Sequence, residues 1–321
     1  MKRLAAALTF SAAFAGTALA NDSIAELGAG GIILVYADSI SMVNEELFIS
    51  KDEVRVDYVF RNMEDQPRTY LVACPMPEIE APGYLESDIG VPFRETDNFM
   101  NFQVTVAGQA VEPKLEMRAL TGGIDVTDRI TALGIPLNPL TTATHDAINK
   151  LPRGKLVELI TMGALRVYED KVDAQWTLRT NYYWLQTFPA NATLQVAHRY
   201  TPAFGSAFFY KGLLNDKDYV ARYCLDNGTK TAITKKLVSR PEDNPYLAEH
   251  QIQYVLSSGV NWFSPIKEFR LVVDKGSPDA VISLCMDGVK KISPTQFEVR
   301  KADFEPKQDI DIMLVEDLPK E

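Results

Sequence analysis

The chain has 321 residues, 46% of them hydrophobic, and a formal net charge of −10 at pH 7. Such an acidic balance argues against nucleic acid or an anionic membrane face as partner, since both select basic patches. The length suggests about two domains, and the apolar content is ample for ordinary cores.

The first twenty residues, MKRLAAALTFSAAFAGTALA, read as a secretory signal: Lys2 and Arg3, an apolar run from Leu4 to Phe14, then Ala18-Leu19-Ala20 before Asn21. The run is too short and alanine-rich for a membrane anchor, and Asn21 rather than Cys follows, so no lipoprotein anchor is indicated. We expect cleavage after Ala20, a periplasmic or secreted product that is not membrane-spanning, and a net charge of −12 once Lys2 and Arg3 are gone. No later stretch approaches the roughly 20 apolar residues of a spanning helix.

Beyond the signal, Gly28–Gly31 precedes the strand-like GIILVY. A phosphate cradle follows a strand and opens a helix, so nucleotide binding is not indicated. In EVRVDYVFRN, Val54, Val56, Tyr58 and Phe60 alternate with Glu53, Arg55, Asp57 and Arg61, the signature of a half-buried antiparallel strand. MEDQPR at 63–68 is turn chemistry, RTYLVACPMP is another strand, and the prolines at 75, 77, 82 and 92 make 75–98 a loop. NFQVTVAGQAVEPKLEM repeats the alternation around a Gly108-Gln109 turn.

From about residue 118 to 170 the pattern turns helical. GGIDVTDRITALG predicts a helix capped by Asp125 and ended by Gly134. TTATHDAINKLPRGKLVELITMGAL predicts two more, broken at Pro152. This insertion is read as a layer covering a sheet, with a lid as the alternative.

VDAQWTLRTNYYWLQTF is rich in aromatic rings, as a stacking platform for a ligand would be. The parity argues otherwise: Trp176, Leu178, Tyr182, Trp184 and Phe188 fall on one face, and Arg179, Asn181 and Thr187 on the other. With the partner strand TLQVAHRY this makes a long hairpin whose aromatic face is core. Tyr183 and Leu185 are left as apolar residues on the polar face.

The last third predicts two short helices in NDKDYVARYCLDNGTKTAITKKL, broken at Asn227-Gly228. Strands follow in QIQYVLS, EFRLVV, AVISLCM, QFEVR and DIDIMLV, with Asp287-Gly288 fitting a two-residue hairpin turn. The expected fold is therefore mainly β, α+β overall: an antiparallel β-sandwich with a helical insertion over 21–205, followed by a smaller α+β domain over 206–321.

Of the three cysteines, Cys74 reads as a buried filler on a strand face. An exported chain is then expected to pair Cys224 with Cys285, closing a loop worth roughly 4 kcal/mol at most. No histidine accompanies any cysteine in the sequence, so a catalytic thiol is not indicated. A nucleophile elbow is absent, AFGSAFF around Ser206 lacking the second glycine. His198 reads as a core histidine, His145 as part of the insertion, and His250 as a solvated strand start. The spacing of His and Cys matches no metal motif, and Asn215, Asp216 and Asp218 read as a helix N-terminus. No metal and no cofactor is expected.

NDSIAELGAGGI, VDYVFRN, CPMP, GIDVTDRITALGIPLNP, NYYWLQTFPAN, HRYTP, RYCLDNG, NWFSPIKEFRLVVDKG and SLC together resemble an exported bacterial family, the domain-of-unknown-function family DUF4424. The resemblance implies an exported β-rich protein and supplies no catalytic residue. Cys74 departs from the aromatic or aliphatic residue expected there, and the presence of both RYC and SLC supports the disulfide.

The missing catalytic set and the two well-patterned sheets point to a non-enzymatic binding or envelope-interaction protein, its partner a small molecule or an envelope protein. The alternative is an exported hydrolase using a carboxylate pair, which needs no sequence signature. The expected binding surface lies where the insertion meets the polar face of the long hairpin, near Arg179, Tyr183 and Leu185. Trp262, in GVNWFSPIKEF, is a second candidate.

Overall fold

The computed structural model of the chain describes residues 21–28, 31–80, 88–169, 171–242 and 244–318. The expected signal, 1–20, lies outside the described residues, as do 81–87 of the predicted proline-rich loop.

The architecture is mainly β, built on two sheets packed face to face. Alternation forms both. Along Val54–Asn62, Val54, Val56, Tyr58 and Phe60 are buried while Asp57 and Arg61 are exposed. Along Thr177–Phe188, Leu178, Tyr182, Trp184 and Phe188 are buried as parity predicts. These two faces meet in one core, and Trp176, just before the strand, is buried in a second core beside it. The aromatic run is therefore interior.

The first sheet has six strands: Ile124–Asp125, Lys114–Thr121, Thr177–Phe188, Arg68–Pro75, Ser23–Gly28 and Gly31–Val35, in that spatial order. The second has eight, with Ile40–Ile49, Val54–Asn62 and Thr193–Tyr200 at its centre. The long hairpin expected over 177–200 does not form: its two strands do not pair but lie one in each sheet, which is how their aromatic faces come to line the gap.

The helical insertion is three helices, Thr127–Thr131, Thr142–Asn149 and Arg153–Thr161, followed by a two-stranded ribbon. Asp125 Oδ1 accepts from the Thr127 amide at 2.9 Å, and Thr141 Oγ1 accepts from Thr144, so polar side chains take up orphan amides at both starts. Ile130, Ile148 and Leu159 close around Trp176, whose Nε1 donates to the Leu137 carbonyl at 2.7 Å. The helices form a packing layer at the Trp176 end of the first sheet.

A five-stranded sheet, in order Val281–Leu284, Ile310–Glu316, Leu247–Tyr254, Phe204–Phe209 and Asp88–Gly90, carries helices Lys217–Arg222 and Asn227–Val238 on one face. The second helix begins at Asn227, not beyond Gly228 as the sequence suggests. Asp226 Oδ1 accepts from the Thr229 amide at 2.6 Å and fixes the start there. Cys224 and Cys285 form a disulfide, tying the inter-helix turn to the end of strand Val281–Leu284. Asp287-Gly288 joins strands of two different sheets and so is not a hairpin turn.

The eight-stranded sheet crosses the division expected after residue 205. Ile266–Asp274 pairs in parallel with Ile40–Ile49, Glu268 opposite Asn44 through Val273 opposite Ile49. Ile252, Tyr254 and Ile312 of the five-stranded sheet also enter the central core beside Tyr58 and Phe60. Local alternation predicts strands but is silent about partners more than 200 residues away, which is why this joining was not legible.

Candidate functional site

In FGSAFF, adjacent phenylalanines take opposite faces of the strand. Phe209 is fully buried under the C-terminal helices, whereas Phe208 is 61% exposed. Tyr246 enters the neighbouring strand, is 42% exposed, and has its ring centroid 5.6 Å from that of Phe208. Tyr210 is the third exposed ring. It lies across Gly212, where an added Cβ would come within 2.6 Å of the ring, so the glycine lets the ring lie flat. Together these rings border a cleft of about 950 Å³.

On the helix side of the sheet the cleft's lining is polar. Glu249, 1% exposed, accepts from Tyr219 Oη and from Gln251 Nε2, each at 2.7 Å. Burial holds the Glu249 carboxyl above its ordinary range, and the two donors act against that shift. The Tyr219 phenol is raised by burial and then by the Glu249 carboxylate, so it stays a donor. Tyr219 is aimed by its helix: Asp216 Oδ1 accepts from the Asp218 and Tyr219 amides at 3.0 and 2.9 Å. The acidic LLNDKDY segment is therefore a helix cap that positions a cleft residue. Apolar walls beside a few fixed polar groups suit a small organic ligand, the rings supplying contact area and the polar lining orientation.

The residues singled out by sequence separate. Arg179, Tyr183 and Leu185 do share the outer face of the six-stranded sheet, and Leu185 is 73% exposed. Arg179 pairs with Glu78, Nη2 to Oε1 at 2.7 Å, near the foot of the insertion. The helices, however, pack at the Trp176 end rather than over Tyr183 and Leu185. What reaches that face is the hairpin 23–35, whose Ile32 amide donates to Glu116 Oε1 at 3.0 Å, with Asn181 Nδ2 donating to Glu116 Oε2 at 2.8 Å. Trp262 is not a surface residue: it is 1% exposed, packs on Phe60 at 4.4 Å between centroids, and donates from Nε1 to the Asp22 carbonyl at 2.8 Å. The glycine-containing segment before it turns the indole inward. The cleft rings were missed, although the Phe208-Phe209 pair signals one outward aromatic.

The family model for a domain of unknown function, DUF4424, matches residues 20–313. The chain belongs to the DUF4424 family. No curated protein matches it significantly. Among solved structures, it is similar to a candidate nutrient-binding protein from Legionella pneumophila, at 16% identity and a TM-score of 0.41 over 91% of this chain and 72% of that one. Likeness at that level carries no functional argument here.

This DUF4424 chain also holds a polar relay that the sequence did not reveal. Ser206 Oγ lies 3.3 Å from His250 Nδ1, and His250 Nε2 lies 3.0 Å from Glu316 Oε1. His250 is half-buried mid-strand rather than a solvated strand start, and burial lowers its pKa. The order of groups is that of a hydrolytic relay, but the placement is not. Ser206 sits between two paired strands, opposite Asp88 and His250, where backbone amides are spent in the ladder and cannot serve an oxyanion. Glu316 is shared with Lys51 at 3.0 Å. The relay reads as cross-strand bonding.

Proposed function

We propose that the chain is an exported, non-enzymatic binding protein that holds a small organic molecule in the cleft bordered by Phe208, Tyr210 and Tyr246. The mixed lining of this one cleft, with the exposed rings of Phe208, Tyr210 and Tyr246 at its rim and the hydrogen-bonded pair Glu249 and Gln251 on the helix side, carries this reading. A ligand with one apolar face and a hydrogen-bonding edge fits, its face against the rings and its edge toward the polar lining.

Export, with cleavage after Ala20, is supported by two features. The Cys224–Cys285 disulfide belongs to an oxidising compartment. Asn21 is fully buried, its backbone nitrogen donating to Ser258 Oγ at 2.6 Å and its Nδ2 to Glu45 Oε2 at 3.1 Å. Cleavage would turn that nitrogen into an ammonium with more protons to donate, in a pocket where Glu45 Oε1 has no hydrogen-bond partner among the described residues.

Native mass spectrometry of the protein purified from the periplasm, before and after organic extraction, tests the reading. A retained adduct that extraction removes supports the carrier role, and its mass gives the ligand class. A clean apo mass that stays clean after incubation with periplasmic small molecules counts against it and favours an envelope-protein partner.

A further inference from the structure

The centre of the sandwich holds a second constellation. Asp22, Cys74 and His198 come from three separate strand regions, and one ligand atom of each lies within 4.8 Å of the others. All three are buried, Asp22 completely. His198 Nε2 is 3.4 Å from Asp22 Oδ2, a long contact, and the Asp22 carboxyl also meets the Cys74 thiol. The imidazole cannot turn away, since Tyr58, Phe102 and Trp184 meet it edge to face with centroids 5.5, 5.1 and 5.4 Å away.

Left as they are, these groups are costly, because a thiol and a distant imidazole replace little of the solvation that a buried carboxylate loses. Protonating Asp22 removes the charge and gives the imidazole a donor, but across 3.4 Å that bond is weak. A bound cation satisfies all three at once. We propose that Asp22, Cys74 and His198 form a buried site for one zinc-like divalent metal ion.

The chemistry selects the ion. A thiolate, an imidazole and a carboxylate together are a borderline-soft set, which suits zinc and excludes calcium and magnesium. A dication with one thiolate and one carboxylate sums to zero charge, the only balance an interior tolerates cheaply. Tetrahedral zinc with bonds of about 2.0 to 2.3 Å sets donor atoms roughly 3.3 to 3.8 Å apart, and the 3.4 Å between His198 and Asp22 already fits. Binding releases the Cys74 thiol proton and any proton on Asp22, and it couples to folding because the ligands come together only in the folded sandwich. The three donors leave one of the four zinc positions to a further ligand, and their burial keeps the site away from bulk solvent. It is independent of the aromatic cleft.

The test uses the full chain, purified without chelator or affinity tag. Elemental analysis is expected to give one zinc per chain. Refolding with cobalt and the Cys224–Cys285 disulfide intact is expected to give a near-ultraviolet thiolate-to-cobalt band. Cys74 is the free cysteine of the chain, so only it can produce that band. C74S should abolish the band and lower the metal content at least tenfold. If C74S does not fold, the wild-type cobalt spectrum decides alone. Wild-type protein that carries less than a tenth of an equivalent of metal and shows no band with excess cobalt overturns the site, as does metal retained at full stoichiometry by folded C74S.

Discussion

Asn21 and Ser258 are bonded in both directions: the Asn21 amide donates to Ser258 Oγ and Ser258 Oγ faces the Asn21 carbonyl, each at 2.6 Å. Residues 237 positions apart thus fix the start of the described chain inside the core, beside Glu45, Tyr58 and Tyr254.

Glu45 reports on what occupies that start. With an amide at Asn21, burial raises the Glu45 carboxyl to about 8. A carboxyl raised on folding binds its proton more tightly in the folded state. Stability therefore falls as pH climbs from about 4.5 toward 8. A cleaved chain would set an ammonium beside Glu45 and keep it ionised. Then E45Q should destabilise the processed protein by roughly 3 kcal/mol, the scale of breaking a buried ion pair. In a chain that retains residues 1–20, E45Q should be neutral or stabilising above pH 7. Urea titrations of the four proteins at pH 5 and pH 8 check this, and equal effects of E45Q in both backgrounds would sink it.

Removing the disulfide should cost about 4 kcal/mol, since Cys224 and Cys285 are 61 residues apart and their loop would be freed in the unfolded chain. The C224S/C285S pair, measured by urea unfolding without reductant, reads the difference. A loss under 1 kcal/mol would mean the five-stranded sheet holds the loop unaided.

Trp262 and Leu185 should behave oppositely although both are large apolar residues. W262A opens a cavity against Phe60 and Phe188 and strips a donor from the Asp22 carbonyl, for a loss of about 3 to 5 kcal/mol. L185S changes an exposed side chain and should stay within about 0.5 kcal/mol. A large loss for L185S would show that something covers that face in solution.

Ser206 should resist fluorophosphonate labelling, and S206A should leave ligand retention unchanged, because the relay to His250 and Glu316 lies within the sheet. Stoichiometric labelling at Ser206 would instead point to a serine hydrolase, a different enzyme from the carboxylate-pair alternative.

Features governed by neighbours in sequence were legible. Parity placed Val54 through Phe60 and Trp176 through Phe188 inward, and turn and capping residues located the helices to within a few positions. The pairing of Cys224 with Cys285 followed from a count of three. What was not legible depends on distant strands. The parallel alignment of Phe269 beside Glu45 and the burial of Trp262 follow from which sheet the chain rejoins. Cys74 and His198 were each read correctly as inward-facing. That they come within 4.8 Å of one another and of Asp22 is a property of two sheets closing and leaves no spacing in the sequence.

The cleft is the centre of the account, and the most direct test compares native mass spectra of the wild-type protein and the F208A/Y246A variant, each expressed with residues 1–20 and recovered from the periplasmic fraction. Both substituted rings are exposed, so the variant should fold normally. The account predicts an extractable small-molecule adduct on the wild type and its loss from the variant. An adduct retained in full by the variant would contradict the cleft as its site, and a wild type that holds nothing even after exposure to periplasmic extract would contradict the binding role itself.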